Sequence, residues 1–452
     1  MNKKQIKVRC TAMDREGKGV VKISNKELSV PHLIEGEGAV IEVSENMKYI
    51  NGRVVSIIEP SKYRIKPRCH HFNQCGGCQL QHLSFEGQKE FKQKIVNNLM
   101  KNYCKVNDIL AMKEPYNYRN KIHATFTLDE RKRIISGIYE ENTHKVIPIR
   151  QCMIQDSRGD KIISTIGELI KDFKLRPYDE DTKQGFLRHV LIKTGFATGE
   201  IMVVLVVSSQ VFPGKNNFIN ALLKKHPEIT TIVMNINNKK TSAVLGDSEK
   251  VIFGKGYIED ILCGCVFQIS PKSFYQINPI QTELLYKKAM EMAKLKGSET
   301  ALDAYCGIGT IALIASKKAK EVIGVELNKD ATRDAINNAK RNNIKNVYFY
   351  NKDAGDFMVS MAEEKKKVDV VFMDPPRSGS DEKFLTSLVK LKPQKVVYIS
   401  CNPETQERDL RYLTKHGYKV EEIQPVDMFP WTYHVEAVIM MTYCGFDKKN
   451  RG

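Results

Sequence analysis

The sequence predicts an α/β protein whose C-terminal part, residues 266–452, is a doubly wound parallel sheet. Apolar, β-branched stretches alternate with helical periodicity from Thr300 to Tyr443, the rhythm of successive βαβ units. The first strand-to-helix turn, Asp303-Ala304-Tyr305-Cys306-Gly307-Ile308-Gly309-Thr310, is a glycine loop that lets a ligand approach the backbone. A third observation predicts what precedes the sheet. Residues 1–60 alternate apolar and polar positions between the turn signals Arg15–Gly19, Glu35–Gly38 and Asn51-Gly52, as in a small β-barrel.

Composition narrows the partners. Lysine plus arginine exceed aspartate plus glutamate by 71 − 53 = 18, which favours a polyanion, nucleic acid being the commonest. The opening Met1-Asn2-Lys3-Lys4-Gln5 leads into a polar segment with no signal-peptide core. The longest apolar run, Ile201–Val207, is too short to span a bilayer, so a cytoplasmic protein is expected. The 11 cysteines should then be reduced, and clusters among them suggest metal or catalysis before disulfides.

After the barrel, whose many Lys and Arg suit a grip on RNA, Cys69, Cys75 and Cys78 are spaced C-x5-C-x2-C with Gly76 and Gly77 inside the tight pair. Glycines let such a loop curl both thiolates towards one centre. Cys152 is the best fourth ligand by sequence, and would staple two distant segments together. A structural iron–sulfur cluster is the first reading; zinc with His70, His71 or His82 is the other. Residues 84–104 read as a helix that packs on the catalytic part. Residues 61–265 as a whole read as an α/β middle domain, with strands at Ile122–Thr127, Arg133–Tyr139, Leu187–Lys193, Ile201–Ser208 and Ile229–Asn235 and a helix near 158–173. Cys263-Gly264-Cys265 reads as a strand-edge pair with no metal partners.

Glu326 ends the second strand of the C-terminal sheet, where a carboxylate can hold both hydroxyls of a ribose. To that point the pattern fits NAD as well as S-adenosylmethionine. The fourth strand decides, because it ends Asp374-Pro375-Pro376-Arg377, a turn characteristic of base-modifying methyltransferases. The fifth, Lys395–Ser400, ends in Cys401-Asn402-Pro403, which presents a thiol at a strand's carboxyl end where ligands bind.

With Phe274-Tyr275-Gln276-Ile277-Asn278-Pro279 and His434-Val435-Glu436-Ala437, these motifs run in order along nearly the whole chain. The chain resembles the RNA uracil-C5 methyltransferase family. The resemblance implies a Rossmann-like class I methyltransferase domain, an N-terminal TRAM-like β-barrel, and an iron–sulfur middle domain whose [4Fe–4S] cluster is held by Cys69, Cys75, Cys78 and Cys152. It implies Cys401 as nucleophile and Glu436 as base. Gln276 and Asp374 would contact S-adenosylmethionine or the uracil edge, Tyr305 would pack on the cofactor, and Asp353 would reach the adenine. Gly307, Gly309, Thr310 and Glu326 complete the cofactor set. Thr310 stands where tRNA-type members carry Asn, and its hydroxyl is expected to cap the helix and donate to the ligand. Basic surroundings are expected to stabilise the Cys401 thiolate.

The barrel and four-cysteine set resemble the ribosomal-RNA branch, so the expected partner is 23S rRNA with a flipped-out uridine, bound by a monomer. The alternatives are a tRNA uracil-C5 methyltransferase, an RNA cytosine-C5 methyltransferase, and a non-catalytic RNA-binding iron–sulfur protein.

Overall fold

The computed structural model describes residues 2–45, 50–140, 143–239 and 243–445. Five antiparallel strands open the chain, in the order 26–30, 19–23, 2–13, 38–45, 50–59. Their sheet curls until its outer strands approach, so that a side chain at Gly52 would meet Leu28 and Val30. Cys10, Val21, Val30, Leu33, Ala39 and Ile41 fill the inside. Glu37 is fully buried, where it pairs with Arg64 and accepts from the Ile34 and Ser61 backbone amides. That network ties the barrel to the next segment.

The cysteine loop, residues 67–82, consists of turns and leads into helix 85–100, capped by Ser84. Val96 and Met100 of this helix join the core of the C-terminal sheet, and Lys92 forms a fully buried ion pair with Asp427 at 2.5 Å.

The middle sheet runs 248–253, 229–236, 201–207, 187–194, 121–128, 134–139, 146–148, antiparallel except for the pair 201–207 and 229–236. Strands 187–194 and 201–207 are buried at every residue, because helices 157–172 and 215–225 cover one face and the C-terminal domain covers the other. This accounts for the unbroken apolar run at Ile201–Val207. Hairpin 258–262/265–269 packs its apolar face into the C-terminal core, and the expected boundary at residue 265 falls inside it. Cys263 and Gly264 form its turn, both at positive φ.

The last sheet orders its strands 347–351, 321–326, 300–304, 370–373, 395–400, 436–443, 418–426. The first five are parallel and the last two antiparallel. The order reverses between 300–304 and 370–373, the switch point that opens a crevice at the strands' carboxyl ends. The sequence reading missed the outermost strand, Tyr418–Val426, because Pro425 and the run of charges at 419–422 argue against a strand. Its position explains both: it lies at the sheet's edge, where proline is tolerated, and is covered by residues 106–110. Helices 279–293 and 354–363 also went unread, although Asn278-Pro279 and Asp353 carry their cap signals. Among the described residues no helix is long and apolar enough to cross a membrane.

Candidate active site

A cavity of ≈ 510 Å³ lies at the switch point, lined by Gln276, Tyr305, Gly307, Thr310, Glu326, Asp353 and Asp374 among others. These residues come from five separate turns, so the fold alone brings them together. Glu326 braces the glycine loop through its two oxygens, accepting from Gly307 N at 2.9 Å and Asn328 N at 2.7 Å. Gly309 stands behind the wall at φ 83°, where a Cβ would lie 2.9 Å from the Phe349 ring. Only glycine fits there. Tyr305 adopts φ 102°, a costly conformation for a non-glycine residue, fixed because Tyr305 N and Cys306 N both donate to Val325 O. Its ring packs on Phe384 and faces the cavity.

One expectation changes. Gly309, not Thr310, occupies the cap position of helix 310–316 and supplies no side-chain bond; Thr310 is the first helical residue, with its hydroxyl 3.5 Å from Tyr286 Oη. Asp353 lines the cavity, and its carboxylate also caps helix 354–363 by accepting from Asp356 N and lies 3.6 Å from Lys383.

The second half of the site stands beside the cavity. Strand 395–400 pairs antiparallel with 436–443 as far as Ser400↔Ala437, so the next position sets Cys401 opposite Glu436. Asn402 caps helix 403–415 by accepting from Glu404 N, and Pro403 takes the first helical position. Asn402 Nδ2 and Thr405 Oγ1 both donate to Arg377 O, which holds the end of the Asp-Pro-Pro-Arg turn against the cysteine turn.

The electrostatics of this group reverse one reading. Burial pushes the Cys401 thiol up, the charges of Glu436 and Asp374 push it further, and Arg377 opposes them. Burial and these two carboxyls together outweigh Arg377, to which the expected basic stabilisation reduces. Burial raises Glu436 to about 8, with help from Asp374 and against Arg377. Asp374 rises to about 7 and Asp303 to about 8, each chiefly by burial. Asp303 accepts from Ala312 N and so anchors the helix behind the glycine loop. Asp374 lines the cavity and acts electrostatically on both Cys401 and Glu436, which makes it the link between the two halves.

Sequence reasoning assigned no role to Arg377, His434 or Tyr286. Arg377 faces Cys401 and lies 3.4 Å from His434 Nε2. Tyr286, fully enclosed on helix 279–293, looks onto Thr310, Asp374 and Glu436. Only packing reveals them.

Cys69, Cys75, Cys78 and Cys152 are free thiols, and all line one groove of ≈ 2780 Å³. Each of Cys69, Cys75 and Cys152 acts electrostatically on Cys78, whose thiol burial pushes up to about 12. Cys78 and Cys152 pack with Trp431, whose carbonyl accepts from Gln79 N and Leu80 N. Among the described residues no group of three or more His, Cys, Asp or Glu is arranged to hold a metal ion.

The family profile described as tRNA (Uracil-5-)-methyltransferase matches residues 84–443. This chain belongs to that family. An uncharacterized RNA methyltransferase of Caldanaerobacter subterraneus subsp. tengcongensis is 43% identical over 451 residues, 98% of this chain and 99% of the relative. Another, of Halalkalibacterium halodurans, is 42% identical over 443 residues, 96% of each. Among solved structures, a Pyrococcus abyssi tRNA (uracil-54, C5)-methyltransferase in complex with S-adenosyl-L-homocysteine superposes with a TM-score of 0.80 at 27% identity. That likeness covers 97% of this chain and 100% of the other. A tRNA uracil-5-methyltransferase thus shares almost the whole architecture, and an N-terminal β-domain does not by itself select ribosomal RNA.

Proposed function

We propose that this methyltransferase moves a methyl group from S-adenosylmethionine to C5 of a flipped-out uridine in 23S rRNA, acting as a monomer. The observation that carries the reading is the register that sets Cys401 opposite Glu436, with Asp374 facing both from the wall of the methyl-donor cavity. The cavity suits the donor, with Glu326 at the end of the second strand for a ribose and Gly307 and Ile308 of the glycine loop in its wall.

The Cys401 thiolate adds to uracil C6 and turns the ring into an enolate. C5 then takes the methyl group, and the sulfonium leaves as a neutral thioether. Glu436 removes the C5 proton; the electron pair restores the C5–C6 double bond and expels the cysteine thiolate. A base with a proton affinity near neutrality suits that last step. Arg377 offsets the negative charge that gathers at Cys401.

For the cluster, Cys69, Cys75, Cys78 and Cys152 are the residues that would hold [4Fe–4S]. Four thiols line one groove and three of them act on Cys78, which supplies the number of thiolates such a cluster takes once the four are drawn together. Bound there, it would cross-link the cysteine loop to the 152 segment. Cys78→Ser is accordingly expected to lose iron and to unfold at lower temperature, measured by iron content and thermal melting. A stable, active, iron-free variant would contradict a structural cluster.

RNA as the partner is supported by the net charge of +18 and by the groove, whose walls carry Arg68, Arg119, Arg131, Lys132, Arg133 and Arg150. The choice of ribosomal RNA rests on the resemblance of the four-cysteine set to that branch. The Pyrococcus relative favours a second reading, a tRNA uridine. Incubation with methyl-labelled S-adenosylmethionine and transcripts of each RNA separates them. Label on 23S transcripts is expected. Label confined to tRNA selects the second reading, and label on RNA lacking uridine rules out both.

A further inference from the structure

The loop between strand 265–269 and helix 279–293 carries Phe274, Tyr275 and Gln276 into the cavity wall, yet has no secondary structure of its own. Ser270 O accepts within the loop from Ser273 Oγ at 3.0 Å, and the middle domain supplies further partners for its carbonyls. Lys193 Nζ donates to Ser270 O and Ser273 O, both at 2.8 Å. Asn120 Nδ2 donates to Gln276 O and Asn120 N to Ile277 O, both at 3.0 Å. Asn120 is in turn fixed to the sheet, its carbonyl accepting from Thr194 N.

Lys193 is an unusual choice for this place. It is 5% exposed, lies opposite Lys121 across the sheet, and forms no ion pair among the described residues. Glu249 and Asp334 act on it only from beyond ion-pair distance. Burying an ammonium without a carboxylate in contact is costly, and a smaller polar residue would hold one carbonyl more cheaply. A long arm with several donors reaches two carbonyls at once and fixes the start of the loop, while Asn120 fixes its end.

We propose that Lys193 and Asn120 are positioning residues for the methyl donor: the middle domain builds part of the cofactor site by holding the backbone of residues 270–277. The inference rests on the reading of the cavity as the methyl-donor site. It makes the middle domain part of the methyl-transfer machinery as well as a platform for RNA.

Calorimetric titration with S-adenosylhomocysteine tests it, alongside filter binding of RNA and thermal melting. Lys193→Met is expected to weaken S-adenosylhomocysteine about tenfold, the scale of leaving one buried carbonyl, Ser273 O, unpaired, while RNA affinity stays within about twofold. Lys121→Met, which removes the neighbouring charge but no clamp, is expected to bind the cofactor product as the wild type does. Unchanged affinity in Lys193→Met overturns the proposal. So does a parallel fall in cofactor, RNA and thermal stability, which is what mere domain glue gives. If Lys193→Met does not fold, Asn120→Ala decides, because it keeps the main-chain bond to Ile277 and removes only the bond to Gln276; an unchanged affinity there is equally fatal. A wild type that binds no S-adenosylhomocysteine sinks the cavity reading itself, and the clamp with it.

Discussion

Alanine at position 401 is expected to lower methyl transfer to uridine-bearing RNA by about 10⁴-fold or more, the scale for removing a covalent nucleophile. The reason is chemical: without addition at C6, uracil C5 is too poor a nucleophile for a sulfonium methyl. The same substitution is expected to abolish the adduct with 5-fluorouridine-substituted RNA. Fluorine at C5 cannot leave as a proton does, so wild-type protein incubated with S-adenosylmethionine should stay joined to that RNA on a denaturing gel. Folding is a separable matter. Cys401 is only half-buried and its thiol meets the exposed side chain of Arg377, so Cys401→Ala is expected to melt close to the wild type. A shifted band that survives in Cys401→Ala would place the nucleophile elsewhere.

The second large effect concerns Glu436. Glu436→Gln should methylate RNA once and then stall as a covalent complex, because no group removes the C5 proton and the cysteine cannot leave. Turnover is expected to fall by about 10²–10⁴-fold, the usual contribution of a positioned base. In the wild type the step needs the ionised carboxylate, so its rate should rise with pH through about 8.

Stability should move the opposite way. Because the folded carboxyl is raised above its ordinary value, between pH about 4.5 and 8 the native state holds a proton that the unfolded chain has released. Wild-type stability is therefore lost as pH rises through that window, and Asp303 and Asp374 contribute in the same sense. Glu436→Gln removes the share of this cost that Glu436 carries. Its melting temperature should match the wild type near pH 5 and exceed it by several degrees at pH 9. A variant that turns over normally would show that the base lies elsewhere; equal melting curves at pH 9 would show that Glu436 is not buried as an acid.

Much of this was legible in one dimension. Strand and helix periodicity are local properties, so Thr300–Ala304, Lys329–Arg341 and Glu436–Tyr443 could be read to within a residue or two. So could the turns that carry the chemistry, because glycine, proline and asparagine act on their own backbone: the loop at Gly307–Gly309, the Asp374-Pro375-Pro376 turn, and Cys401-Asn402-Pro403. What each turn meets is not local. That Cys401 faces Glu436 follows from a strand register, the depth of Asp374 and Glu436 follows from packing, and their charges then raise a thiol that a basic composition suggested would be lowered. Lys193 and Lys121 read alike in the sequence, yet only one is buried against the carbonyls of the loop that leads to Gln276. By itself the sequence determined the elements, the motifs and the class of reaction; the tertiary structure alone decided which groups share a low-dielectric space, because desolvation and register depend on residues hundreds of positions apart.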